Sequence, residues 1–300
     1  MDNWIDLHLP KYLHLTDSVT SLTRNLLQGN GIDFLSVSGR TKTRTSIEEK
    51  IKRKAYSDPQ AQITDISGIR IIVFVENDID RVCKLIEESF GVDKNNSSNR
   101  DEALSSDQVG YRSVHFVCDI GVQRGGLPEF KGLINLKFEF QIRTVLQHAW
   151  AEMAHDRSYK FKGELPKNLK RQLYLYAGLL ELADRGFNEL AREIDDYANK
   201  VSEDIKSGNL DVPINSISIR EYIESAPENK SVDIEELITS INIPEKITYL
   251  RDYGLDTIRQ LDAFISKHDL KGDLLQSVRD ILFHDDSEKN TRKVTMEEKS

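Results

Sequence analysis

Phe138-Glu139-Phe140-Gln141-Ile142-Arg143-Thr144 alternates apolar and polar side chains without a break. A period of two belongs to a β-strand, so Phe138, Phe140 and Ile142 share one face while Glu139, Gln141 and Arg143 share the other. The apolar face must be covered; the polar face either meets solvent or builds a site. Ile69-Arg70-Ile71-Ile72-Val73-Phe74-Val75, preceded by Gly68, is a short β-branched run of the kind a buried strand requires. Residues 113–120 alternate through Val114, Phe116 and Cys118 and predict a third strand, and the alternation around Phe138 begins at Leu136.

Between and around these strands the period lengthens. Residues 5–29 place Leu7, Leu9, Leu13, Leu15, Val19, Leu22 and Leu26 largely at helical spacings. A helix from Ser46 to about Tyr56 is expected to open on Ser46 with Glu49 three residues on, a capping-box arrangement. Residues 78–90 form an amphipathic pattern, and residues 93–108 read as a flexible polar loop. After Thr144 the pattern stays helical, with Leu173, Ala177, Leu180, Phe187, Leu190, Ala191 and Ile194 in one stripe. Strands mixed with helices, then a helical run, predict an α/β or α+β core backed by helices.

The first domain is expected over residues 1–205. Pro213, Pro227 and several Ser and Asn residues suggest a linker at 206–230. Short helices follow at 234–241, 244–253, 257–268 and 274–283, in a small acidic domain over 231–285, with a disordered tail at 286–300.

The net charge of −9 divides unevenly, about −1 on residues 1–200 and about −8 on residues 201–300. The acidic part is a poor binder of nucleic acid or membrane by itself, and suits a regulatory or interaction role. No run of about 18 apolar residues predicts a membrane span, and the N-terminus lacks the basic head and apolar run of a signal peptide. Cys83 and Cys118 both sit in apolar segments and read as buried thiols rather than a disulfide. A cytoplasmic protein is the expectation.

Four clusters can carry chemistry. Between Arg40 and Lys54 there are seven basic residues and two acidic ones, just before and along the first turns of a helix, where amide donors and the helix dipole attract phosphate. Asp65 enters a strand with Arg70 five residues on, which suits a Mg²⁺ ligand beside an anion. Gly110-Tyr111-Arg112-Ser113-Val114-His115 offers a flat ring for a base and an imidazole for a phosphate or hydroxyl. The fourth is the polar face of Glu139, Gln141 and Arg143. Each of these alone also fits an ordinary solvated surface or core edge.

Taken in order and at these spacings, the set resembles the synthetase domain of the RelA/SpoT family, whose enzymes make the alarmones pppGpp and ppGpp. The matching positions are Arg40, Lys42, Ser46 and Lys50; Asp65, Gly68 and Arg70; Gly110, Tyr111, Ser113 and His115; and Glu139, Gln141, Arg143 and Thr144. The segment from Trp150 through Ala151, Glu152 and His155 to Tyr159 and Lys160 looks like the helix that follows in the small, stand-alone members. The resemblance covers roughly residues 15–200. It implies a mostly antiparallel sheet flanked by helices.

It further implies that Arg40 and Arg70 sandwich the adenine of ATP while Lys42, Ser46 and Lys50 hold its phosphates. Asp65 and Glu139 would hold Mg²⁺, and Glu139 would help deprotonate the acceptor hydroxyl. Tyr111 would stack on the acceptor base, with His115, Gln141 and Ala151 as further acceptor contacts. The hydrolase half and the ribosome-sensing modules of the long relatives have no counterpart in these motifs. One departure concerns the acceptor: many members carry Lys and Asn shortly before the Gly-Tyr, where this chain has Ser106-Asp107-Gln108-Val109. GTP or GDP is the first expected acceptor. The 3′-CCA end of tRNA, in a toxin restrained by its C-terminal domain, is the alternative, and a silent nucleotide-binding sensor a further one. The C-terminal domain is expected to support either oligomerisation or an intramolecular contact.

Overall fold

The computed structural model describes residues 3–99, 113–160, 166–225, 243–252 and 254–267. The chain divides into two compact units, Met1–Ala191 and Arg192–Ser300. The first holds one sheet of β1 (Phe34–Thr41), β2 (Ser67–Val73), β3 (Gly91–Val92), β4 (Ser98–Asn99), β5 (Val114–Asp119) and β6 (Phe138–Thr144). The strand order is β1-β2-β6-β5-β3, with β4 also paired to β5. Only β2 and β6 run parallel among these pairs; the others are antiparallel. The expected mixed, mostly antiparallel sheet is what forms.

The register explains the alternation. Phe138, Phe140 and Ile142 are fully buried on the same face as Ile69 and Ile71. Helices α1 (Asn3–Gly29) and α4 (Glu76–Ser89) supply Leu15, Val19, Leu27, Val82 and Ile86 to that core. Burying each such side chain contributes about 1.5–3 kcal/mol. The approach of α1 to β1 is close at Gly39, where a Cβ would stand 2.6 Å from Thr16 Cγ2. Thr16 Oγ1 itself lies 2.7 Å from both Thr41 Oγ1 and Ser67 Oγ, pinning the helix across two strand ends.

Three expectations need correction. Helix α2 is Arg44–Lys54, and its cap is Thr43, whose hydroxyl oxygen accepts from the Ser46 amide. Thr43 leaves β1 in an extended conformation, so the helix begins as soon as the strand ends and Ser46 falls inside the first turn rather than before it. The start of the polar stretch at 93–108 is ordered: Asp93 accepts from the Asn95 and Asn96 amides, and Ser98–Asn99 pairs with β5. The third concerns residues 206–230. They contain α8 (Ser216–Glu224), and Val212, Ile214, Ile219, Tyr222 and Ile223 are buried in the second unit's core. Pro213 bridges to Thr257, and Asn215 caps α8 in a reciprocal box with Ser218.

After β6 the chain enters α6 (Val145–Lys160) and then α7 (Lys167–Lys206). The second unit is completed by α9 (Ile243–Asp252) and α10 (Ile258–Lys267), whose Leu250, Ile258 and Leu261 join the buried cluster. Arg259 binds both oxygens of Asp211, and the Tyr222 hydroxyl donates to Asp262 at 2.6 Å. The helices expected at 234–241 and 274–283 and the tail at 286–300 lie outside the described residues. No helix among the described residues is long and apolar enough to cross a membrane.

Candidate nucleotide site

The polar face of the sheet is built in rows. Arg40 on β1 stands opposite Gly68 on β2, which stands opposite Glu139 on β6. The next row is Ser38, Arg70, Gln141 and His115. Arg40 and Arg70 are therefore diagonal neighbours on one face, about 7 Å apart at their stems. Their direct register partners are Gly68 and Ser38, too small to fill the gap between them. Two guanidiniums facing a slot of this width suit a flat ring stacked between them.

Beyond the strand ends lies a cationic pole. The Lys42 amide continues the β1–β2 ladder by donating to Ile66 at 2.8 Å, which sets its side chain beside Asp65. Lys50 of α2 donates to Asp65 Oδ2 at 2.6 Å, and Lys42 Nζ is 3.2 Å from the same oxygen. Burial pushes the Asp65 carboxyl up, but the hydrogen bond from Lys50 and the charges of both lysines outweigh it and hold the group below its ordinary range. Its other oxygen, Oδ1, is buried with no hydrogen-bond partner. A buried, ionised carboxylate oxygen left open in this way is what a hard divalent cation takes as a ligand.

Glu139 is held differently. Its carboxylate accepts from His115 Nδ1, and Ser113 Oγ lies 2.7 Å from His115 Nε2. The two ring nitrogens of His115 thus bridge Ser113 and Glu139. The imidazole thereby orients the glutamate.

A cavity of about 700 Å³ lies against Lys42 and Lys50 and the polar face of the sheet. On the α2 side it is lined by Lys42, Ser46, Glu49, Lys50 and Arg53, and over the sheet by Arg40, Ser38, Arg70, Gln141 and Glu152.

Over the sheet, Arg70 Nη1 donates to Glu152 Oε1 at 2.9 Å. Glu152 arrives on α6, which follows β6 without a connecting residue. The turn is fixed by a reciprocal cap: the Thr144 amide donates to Gln147 Oε1 and the Gln147 amide to Thr144 Oγ1, both at 3.1 Å. The Thr144 hydroxyl in turn donates to Asp184 Oδ2 of α7 at 2.6 Å.

The structure thus gathers Arg40, Lys42, Ser46, Lys50, Arg70 and Gln141 around one cavity, with Asp65 bonded to Lys50. Glu139 and His115 lie on the same sheet face next to it, and Ala151 is half-buried on α6 beside Glu152. Gln141, expected on the acceptor side, lines the cavity with the donor residues. Tyr111 and Gly110 lie outside the described residues. Sequence reading missed Arg53, Glu49 and Glu152 as cavity residues. The signal for Glu152 was available in its i,i+4 spacing from His148 on the helix that Thr144 opens.

Residues 39–164 match the family model described as the region found in RelA / SpoT proteins. These residues of the chain carry a RelA/SpoT-type region. Among RelA/SpoT relatives, the GTP pyrophosphokinase YwaC of Bacillus subtilis strain 168 is 28% identical over 183 residues, covering 59% of this chain and 83% of that protein. The GTP pyrophosphokinase YjbM of the same organism is 29% identical over 161 residues, 53% of this chain and 72% of that one. Of solved structures, the small alarmone synthetase 1 from Bacillus subtilis aligns with a TM-score of 0.54 at 25% identity, covering 65% of this chain and all (100%) of its own. A GTP pyrophosphokinase family protein from Streptococcus pneumoniae shares the fold, with a TM-score of 0.55 at 22% identity over 66% of this chain and 97% of that one.

Proposed function

We propose that the chain transfers the β,γ-pyrophosphoryl group of ATP to the ribose 3′-hydroxyl of GTP or GDP, releasing AMP and making the alarmones pppGpp and ppGpp. The observation that carries this reading is the cavity, with an arginine slot for a base and Lys42, Ser46 and Lys50 for phosphates. The names of the relatives supply the acceptor and the reaction class.

In this reading Arg40 and Arg70 stack on the adenine. Lys42, Ser46 and Lys50 grip the phosphates and neutralise charge as the α,β bridge breaks. Asp65, through Oδ1, and Glu139 would hold Mg²⁺, which supplies further charge neutralisation of the triphosphate. The acceptor's 3′-oxygen attacks the β-phosphorus, the bond from that phosphorus to the α,β bridging oxygen breaks, and AMP leaves with the bond's electrons. Glu139, aimed by His115, takes the hydroxyl proton. Tyr111, His115 and Ala151 serve the acceptor side. The acidic second unit is a regulatory or interaction element of the same enzyme.

The test supplies labelled ATP and Mg²⁺ with GDP, GTP, AMP, ADP or deacylated tRNA in parallel. Label on GDP or GTP supports the reading. Label on tRNA alone replaces it with the tRNA-modifying one, and no transfer to any acceptor leaves a nucleotide-binding sensor.

A further inference from the structure

We propose that Glu152 reads the donor's base, favouring a purine with an exocyclic amine over one with a carbonyl at the same position. The inference rests on the cavity holding a purine nucleoside triphosphate in the direction given above. Glu152 lines the same cavity beside Arg70, on α6 rather than on the α2 side that carries Ser46 and Lys50. Its Oε1 accepts from Arg70 Nη1 at 2.9 Å, which holds the carboxylate beside the arginine slot. An ionised carboxylate offers about four lone-pair directions and donates nothing. Those that Arg70 does not use face an amine favourably, whereas the lone pairs of a ring carbonyl would meet them with repulsion.

His148, the other ionisable side chain beside Glu152, makes no hydrogen bond to it. His148 Nδ1 is 3.7 Å from Glu152 Oε1, too far for a hydrogen bond. Burial first, then the positive charges of Arg70 and Arg143, hold His148 below its ordinary value against the opposing pull of Glu152. Sites that present a fixed acceptor to a donor on the ligand discriminate strongly, because the wrong ligand leaves a polar group unpaired.

The experiment is calorimetric titration of the full-length protein with α,β-methylene analogues of ATP and ITP, which differ at this purine position. Wild type is compared with Glu152→Gln and Glu152→Ala. Glu152 is 56% exposed, so both variants should keep the wild-type thermal midpoint. The expected result is a preference for the adenine analogue of about tenfold or more in wild type. Glu152→Gln, whose amide can turn either a donor or an acceptor to the base, should bring the ratio close to one, partly by gaining the inosine analogue. Variants that lose affinity for both analogues equally would mean that Glu152 acts only by steadying Arg70, and an unchanged ratio would mean that it does not touch the base. Either result overturns the inference. Absence of pyrophosphate transfer in wild type would refute the catalytic reading while leaving the base preference measurable; absence of binding to either analogue would overturn both.

Discussion

Asp65 and Asp184 each bury one carboxylate oxygen, Oδ1, with no hydrogen-bond partner, yet their surroundings move them in opposite directions. Asp65 is penalised by burial, but two lysines reverse the penalty and hold it ionised. Asp184 is pushed up by burial, and the one hydrogen bond it accepts, from Thr144, opposes that shift without overcoming it. The orphaned oxygen has a different meaning in each place. Beside a cationic cavity it fits the proposed cation ligand; at the β6–α6 junction it is a structural cost carried by a group that locks a helix cap. Burial of a carboxylate alone does not mark a site; burial beside lysines that also line a cavity is the stronger indication.

The largest expected effect that separates the two is on turnover. Asp65→Asn should slow pyrophosphate transfer by about 10²-fold or more, on the order of 3 kcal/mol in the barrier. It should also abolish the Mg²⁺ dependence of ATP binding. Asp184→Asn should stay within about threefold of wild type at pH 7, and a loss as large as that of Asp65→Asn in the same steady-state assay would erase the distinction. Next in size, Lys50→Met should weaken ATP binding about tenfold, read by titration with a non-hydrolysable analogue, because a charge-assisted contact at a buried phosphate is lost. Retained affinity would place the phosphates elsewhere.

Smaller and opposite effects are expected in stability against pH. The contribution of Asp65, whose carboxyl is lowered on folding, is fully present above about pH 4 and is lost as pH falls through its depressed value. Wild type and Asp65→Asn should therefore converge in urea midpoint toward about pH 3. Asp184 is raised on folding, so its contribution is present below about pH 4 and lost as pH rises through its elevated value. Asp184→Asn should gain on wild type between about pH 4 and pH 7. Two curves with the same slope would show that the lysines do not separate these carboxylates.

Much of this arrangement was legible in residue order. The alternation through Phe138, Phe140 and Ile142 announced a strand with one polar face, and the spacing of Arg40, Lys42, Ser46 and Lys50 put four polar groups around a strand-to-helix turn. What was not legible depends on tertiary partners. Thr43 caps α2 because β1 delivers it there in extended form, while the Ser46–Glu49 spacing offered a stronger local signature. The Thr144–Gln147 box is a recognisable T-x-x-Q pattern, but its link to Asp184 spans 40 positions in sequence. Pro213 and Asn215 carry the local signs of a linker, yet a bridge to Thr257 and a buried apolar cluster make them part of a core. Glu152 becomes a cavity residue only through Arg70, 82 positions away.

The most direct measurement uses ATP labelled at the β-phosphate, with Mg²⁺ and GDP or GTP, resolved by thin-layer chromatography for wild type and Glu139→Ala. The β label distinguishes pyrophosphate transfer from γ-phosphate transfer, which would leave it in ADP. The expected result is label in a 3′-pyrophosphorylated guanine nucleotide with matching release of unlabelled AMP, reduced about 10²-fold or more in Glu139→Ala. Label retained in ADP, or transfer that Glu139→Ala leaves unchanged, would contradict the assignment of this cavity and its carboxylates.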